Sequence, residues 1–406
     1  MTHSDDQPPA TPPARFSIEL TADPERLAAV IPEWEELAKC AIEPNPMYEH
    51  WMLLPALRLS GESALCALAW MRDPARPDAG AKLAGLFPFT RVRRFKGIPA
   101  TALSSWTHKS WMLCTPLVRA GEARQCLTAL LDWVEEGGEG CSVLEFRYLA
   151  SDGAFHGALA DALRSHNSMV LAAGTFTRAF LRRSSDAESY LQASLSGIGR
   201  KSMRRKEKRL AERGELEHVT MQPAADPWPW IDAFLELEAS GWKGRQGSAL
   251  ASSKNGYLFA CETLSAAHRR NRLQIMGLDL DGKPIARCCN IAAGEGSYAY
   301  RTAYDEQFGS YSPGVMAELA SIRHFHSVPG LQWMDSITDP DNITLNRLWK
   351  DRRTIQTVVV GSGTWGELWV SMLPMMRWAK RRIATTTNAL TRSVRRNPKE
   401  AAQPPA

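Results

Sequence analysis

Three groups of residues have the types and spacing for chemistry. The first is Tyr304-Asp305, a phenol beside a carboxylate at the end of an alternating aromatic run (Tyr298, Tyr300, Tyr304). The small-residue segment Phe308-Gly309-Ser310-Tyr311-Ser312-Pro313-Gly314 follows it. Glycine and serine leave the backbone uncovered, Pro313 fixes its own φ at a helix start, and Val315 to Phe325 has helical apolar spacing. This pattern predicts strand, loop, helix. Free amides and the dipole at such a start favour an anion, and an ordinary start capped by Ser312 has the same spacing. The second group is Trp242-Lys243-Gly244 with Gly247, an aromatic wall and a cation in either an acceptor site or a Gly-rich surface loop. The third is Asp335, which closes a short predicted strand at the end where open α/β sheets place ligands, or caps the turn that follows.

The elements that must position these groups come in a repeated order. In the first half, a strand Phe16–Leu20 and helices Pro24–Cys40 and Met47–Leu59 precede strands Ala64–Met71, Lys82–Val92 and Trp111–Val118. A helix Gly121–Glu136, a strand Ser142–Tyr148, a helix Gly153–Ser165 and a long strand around Met169–Leu181 close that half. The second half begins with a helix Asp186–Arg213, a strand Glu215–Met221 and helices Trp228–Ala239 and Ser253–Arg269. A meander Arg272–Asp279, Pro284–Ala292, Ser297–Tyr304 follows, its first turn marked by Asp281-Gly282, a strong hairpin signal. Strand Leu331–Asp335, helix Ile343–Lys350 and strand Thr354–Val360 end it. The reading is an α/β chain of two tandem domains: a leader 1–15, domains 16–183 and 184–364, and a basic helix and tail 365–406.

At 406 residues the chain is long enough for several well-buried cores. The eight cysteines form no CxxC pair and sit in apolar runs, as buried free thiols of a reducing compartment do. No metal site is assigned to the scattered histidines. The proline-rich start has no apolar stretch and no window is long enough to span a bilayer, so a cytoplasmic protein is expected.

The second half resembles the acetyltransferase domain of CelD-like cellulose and polysaccharide biosynthesis proteins, a branch of the GNAT N-acyltransferase superfamily. The likeness rests on Trp242-Lys243-Gly244 with Gly247, the meander, Tyr304-Asp305 with Ser312-Pro313-Gly314, and Asp335 with Trp349. A tandem arrangement also resembles the Fem-type aminoacyl transferases. The resemblance implies tandem GNAT-like domains, each a mostly antiparallel sheet flanked by helices. It also implies acetyl-CoA or another acyl-CoA as co-substrate, its diphosphate held at Gly309, Ser310, Ser312, Pro313 and Gly314. The common Gln/Arg-x-x-Gly-x-Gly/Ala loop pattern is absent there. N-acyl transfer needs a base for the amine and an acid for the thiolate. Asp305 and Asp335 are candidates for the first, Tyr304 and Tyr311 for the second. Trp242 and Lys243 would contact the acceptor, an amino sugar or similar saccharide precursor. The alternatives are an aminoacyl-tRNA-dependent transferase and a non-catalytic module of a polysaccharide-synthesis assembly.

Two basic segments bear on partners. Arg200, Lys201, Arg204, Arg205, Lys206, Lys208 and Arg209 suit a solvated helix face or a phosphate contact; without interleaved aromatics, nucleic acid is expected only as tRNA in the alternative reading. Trp365, Leu368, Trp369, Met372, Leu373, Met375, Met376 and Trp378 lead into Lys380-Arg381-Arg382. That pattern suits a helix packed on the second domain, or peripheral contact with the inner face of a membrane.

Overall fold

The computed structural model describes residues 14–61, 64–73, 75, 78, 80–376 and 378. The predicted leader up to residue 13 and the tail from 379 lie outside the described residues. Thirteen strands form one sheet: β1 Arg15–Thr21, β2 Leu65–Arg72, β3 Lys82–Val92, β4 Ala102–Ser105, β5 Leu117–Val118, β6 Val143–Ala150, β7 Met169–Arg182, β8 Leu216–Thr220, β9 Leu273–Leu280, β10 Lys283–Ala293, β11 Gly296–Tyr304, β12 Trp333–Asp335 and β13 Asp351–Gly361. Their order is β1-β2-β3-β4-β6-β13-β7-β12-β11-β10-β9-β8, with β5 beside β3.

Each half contributes one parallel pair, β4 with β6 and β11 with β12, joined by a helix that crosses from one strand to the next. Ala123–Glu135 is the crossover in the first half and Pro313–Ser327 in the second. The halves then exchange their last strands. β13 pairs with β6 of the first half, β7 pairs with β12 of the second, and β13 and β7 run antiparallel along eleven residue pairs between them. No gap in hydrogen bonding separates the halves.

The seam is held by buried charge. Arg178 on β7 and Asp335 on β12 form an ion pair at 2.6 Å with both side chains fully buried, and Arg353 on β13 lies 3.4 Å from the same carboxylate. Breaking such a pair by removing one partner leaves an unpaired buried charge, a cost of about 3–5 kcal/mol.

Several predicted elements differ from those observed. The helix expected over Pro24–Cys40 is two, Pro24–Ala29 and Ile31–Lys39, because Pro32 starts a new first turn. The helix expected over Asp186–Arg213 is also two, Ala187–Ser194 and Gly197–Ala211; Ser196 caps the second by accepting from Gly199 N–H. Of the strand expected over Trp111–Val118 only Leu117–Val118 exists, while the four-residue β4 was too short to show a period.

Candidate functional site

β11 makes the site because its two edges differ. On one side it pairs with β10 along its length, with an extra residue at Tyr300 where the register shifts. On the other, pairing with β12 ends at Tyr298 opposite Asp335. Asp305 N–H bonds to Ile285 O, so by alternation the amides of Ala303 and Arg301 face β10, while those of Thr302 and Tyr304 face the unpaired side. An open strand edge of this kind offers donors to an extended ligand.

The turn after β11 is more occupied than its sequence predicts. Glu306–Tyr311 is a 3-10 helix started by Asp305, whose carboxylate accepts from Gln307 N–H at 2.9 Å. Ser312 has φ +61°, and its carbonyl takes the N–H groups of both Val315 and Met316. Among the described residues the Gly314 N–H has no acceptor, so one unpaired amide remains at the start of helix Pro313–Ser327, on a buried glycine beneath the Tyr304 ring. Ser312 does not cap that helix. Its hydroxyl instead receives a hydrogen bond from Lys206 Nζ at 2.6 Å, which places the basic helix Gly197–Ala211 directly against the turn. Gly314 is needed for packing, since a Cβ there would come within 2.8 Å of the Tyr304 ring.

Between the basic helix and helix Pro313–Ser327 runs a cleft lined by Arg200, Arg204 and Arg323 together with Met203, Met316 and Leu319. It continues into an opening of about 810 Å³ bordered by His218, His268 and His324. Glu188, 3.0 Å from Arg323, and Glu207 also line the cleft, so its cations are partly balanced by carboxylates.

On the opposite face a buried polar network spans β11. Glu238, fully buried, accepts from Arg301 Nη1 (2.6 Å), Lys243 Nζ (3.2 Å) and Leu250 N–H (2.8 Å). Burial raises the affinity of the Glu238 carboxyl for a proton, but Arg301 and Lys243 outweigh it and hold the group below its usual range. Lys243 also donates to Thr302 O at 2.9 Å, and burial pulls its own pKa down. Glu318, on helix Pro313–Ser327, accepts from the Thr302 hydroxyl and from Cys288, and burial pushes its pKa up. Among the described residues its Oε2 is buried without a partner, as is the Tyr300 hydroxyl.

The first half reaches into this region. Residues 106–116 cross the seam: Met112 N–H bonds to Ile337 O, Arg301 Nη2 donates to the Ser110 hydroxyl at 3.0 Å, and the His108 ring lies 5.1 Å from Phe259. His108 is stacked on Trp111, and burial, with Lys109 and Arg301, lowers its pKa to about 4.

Of the predicted catalytic residues, Asp335 is corrected. Its carboxylate is fully buried and taken by Arg178, Arg353 and the Ile337 N–H, so it holds the seam and cannot reach a ligand. Asp305 serves its turn, and Lys243 is an internal cross-link instead of an acceptor contact. Tyr304 and Tyr311 pack on the cluster around Met316 and Leu210, and no hydrogen bond to either hydroxyl is found among the described residues. Trp242 is 44% exposed, and its backbone N–H donates to Glu306. Gly244 has a packing reason, because a Cβ would meet Ala239 O at 1.7 Å. Sequence reading missed Thr302, Arg301, Glu238, His108 and Glu318. Glu318 and Glu238 each left a signal, an acid on the apolar side of a helix.

Residues 199–342 match the family model described as Acetyltransferase (GNAT) domain. The GNAT match covers nearly all of the basic helix, the meander, the turn with Ser312 and the helix that carries Glu318. No curated protein matches the chain. Among solved structures, FemX superposes with a TM-score of 0.52 at 10% identity, covering 84% of this chain and 96% of that one. A conserved protein of unknown function from Bacteroides thetaiotaomicron gives 0.49 at 11% identity, covering 85% of this chain and 100% of that one. A tandem GNAT protein from the clavulanic acid biosynthesis pathway gives 0.42 at 12%, covering 86% and 99%. The fold is a large mixed α/β sheet flanked by helices, like that of FemX, with a GNAT-type segment at 199–342, and at this identity the likeness is one of fold.

Proposed function

We propose that the chain is an acyl-CoA-dependent N-acyltransferase, with the donor's diphosphate at Lys206, Ser312 and the Gly314 N–H and its extended arm along the open edge of β11. The observation that carries this reading is the hydrogen bond from Lys206 to Ser312, which joins the two segments that the sequence marks separately as phosphate contacts. Thr302 and Tyr304 would offer their N–H groups to the arm, and the Tyr304 hydroxyl, at the end of the same strand, would supply the proton for the departing thiolate. The acceptor amine would enter from the side of Arg301 and the loop 106–116. An amino sugar or saccharide precursor is the reading that the CelD-like resemblance favours.

Thermal shift with acetyl-CoA tests this. At 100 times its dissociation constant a ligand stabilises the fold by roughly 2.7 kcal/mol. Lys206→Glu should remove the shift and leave the unliganded melting temperature close to that of the parent chain. No shift at millimolar acetyl-CoA would sink the proposal.

A second reading has its own observation. Lys201, Arg204, Arg205, Lys208 and Arg209 are exposed on the basic helix, and no ion pair to any of them is found among the described residues. This favours a polyanionic donor such as aminoacyl-tRNA, which would give RNase-sensitive transfer and an affinity that falls steeply with salt.

A further inference from the structure

The helix that follows β13 is apolar over a broad arc, one part of it packed and the adjoining part exposed. It runs without interruption over residues 363–376, through Pro374. One side, with Val370 and Leu373 buried and Trp369 and Met376 partly buried, packs on Phe95, Ile98 and Val143 of the first half and on Val359 of β13. At 100° per residue, Trp365, Leu368, Met372 and Met375 share an arc of about 80° that borders the packed side, with Trp365 about 20° from Met376. Trp365 is 69% exposed, Leu368 46% and Met375 59%. A soluble surface rarely leaves a continuous stripe of such residues in water.

Charge on the segments next to this helix indicates what covers the stripe. The turn that packs Val92 and Phe95 into the same cluster carries Arg93 and Arg94, both exposed, and no ion pair to either is found among the described residues. The sequence continues from the helix into Lys380-Arg381-Arg382. Tryptophan and methionine flanked by arginine match an anionic lipid surface, where the indole sits at headgroup level and the guanidinium groups pair with phosphate. A second copy fits less well. A two-fold contact would bring the cationic rim of one chain toward that of the other, and one stripe on a helix about 20 Å long is small against the ~800 Å² per partner of a stable dimer. The residues after Arg382 contain few apolar side chains to cover it. No helix among the described residues is long and apolar enough to cross a membrane.

We propose that this face docks the protein peripherally on an anionic membrane surface, with Trp365, Leu368 and Met375 in the interface and Arg93 and Arg94 at its edge.

The test is co-sedimentation of the full chain with vesicles of phosphatidylcholine alone and of phosphatidylcholine with phosphatidylglycerol. The parent chain should partition at least tenfold more strongly onto the anionic vesicles. The triple variant Trp365→Ser, Leu368→Ser, Met375→Ser should lose most binding to both. Arg93→Glu with Arg94→Glu lies outside the helix and should remove the preference for anionic lipid while circular dichroism shows an intact fold. Equal sedimentation of parent and variants, or no sedimentation of the parent chain, overturns the proposal. So does light scattering that shows a dimer which the triple variant dissociates, because the stripe would then be a self-interface.

Discussion

The two halves carry the same unit of strand, loop, helix and parallel strand, and they use the loop for opposite purposes. In the second half the loop is a short turn, and the helix it starts presents Ser312 to a lysine from another helix. In the first half the loop from 106 to 122 is long, and its helix starts at Glu122, whose carboxylate side chain makes no cap bond. An acid at a helix start satisfies the dipole internally and repels an anion. The long loop instead crosses the seam and packs His108 and Ser110 beside Phe259 and Arg301. Loop length and the charge at the helix start therefore separate the proposed binding loop from a covering loop on the same strand order.

The largest expected effect tests the seam that both loops share. Asp335→Ala should lower stability by about 3–5 kcal/mol, because Arg178 would be left buried without its partner. If Asp335→Asn instead melted like the parent chain and abolished acyl transfer, the carboxylate would be chemical and not structural.

The covering loop should show itself in acid. His108 is held neutral by burial, so its pKa falls from 6.5 to about 4 on folding. The unfolded chain takes up the proton first, and stability should drop between those two pH values by roughly 2–3 kcal/mol. His108→Phe should flatten that part of a melting-temperature profile; an unchanged profile would show the ring to be solvated.

The binding loop is sharpened by a pair of substitutions. Lys206→Glu should weaken acetyl-CoA by tenfold or more, as loss of a charged hydrogen-bond partner costs about 1.5–3 kcal/mol. Glu122→Gln, at the equivalent helix start in the first half, should leave affinity unchanged when both are measured by calorimetry. Equal losses would mean that both halves bind, and the contrast would collapse.

The smallest effect concerns Glu318. Its pKa is raised by burial, so the fold favours the protonated form and loses stability as pH rises from the ordinary carboxylate range through the raised value. Glu318→Gln should remove that slope, opposite in sign to the one from His108, in the same melting experiment. A slope that persists would assign it to another group.

Local signals made much of the fold legible. The Asp281-Gly282 hairpin, the aromatic alternation of β11 and the Pro313-Gly314 helix start all lie where short-range spacing puts them. The site was only partly readable, since the residues that meet there are far apart in the chain. Lys206 and Ser312 were marked as separate phosphate contacts, but nothing in their spacing says that they touch.

Taken alone, the amino-acid order determined the element types, the tandem repeat and the small-residue turn after β11, because each depends on residues within a few positions of one another. Only the tertiary structure decided that β7 and β13 change places, that Asp335 is spent on Arg178, and that one stretch of β11 is left without a neighbour. Those outcomes depend on which strands meet across hundreds of residues, and burial and pairing over that range leave no periodic trace in the chain.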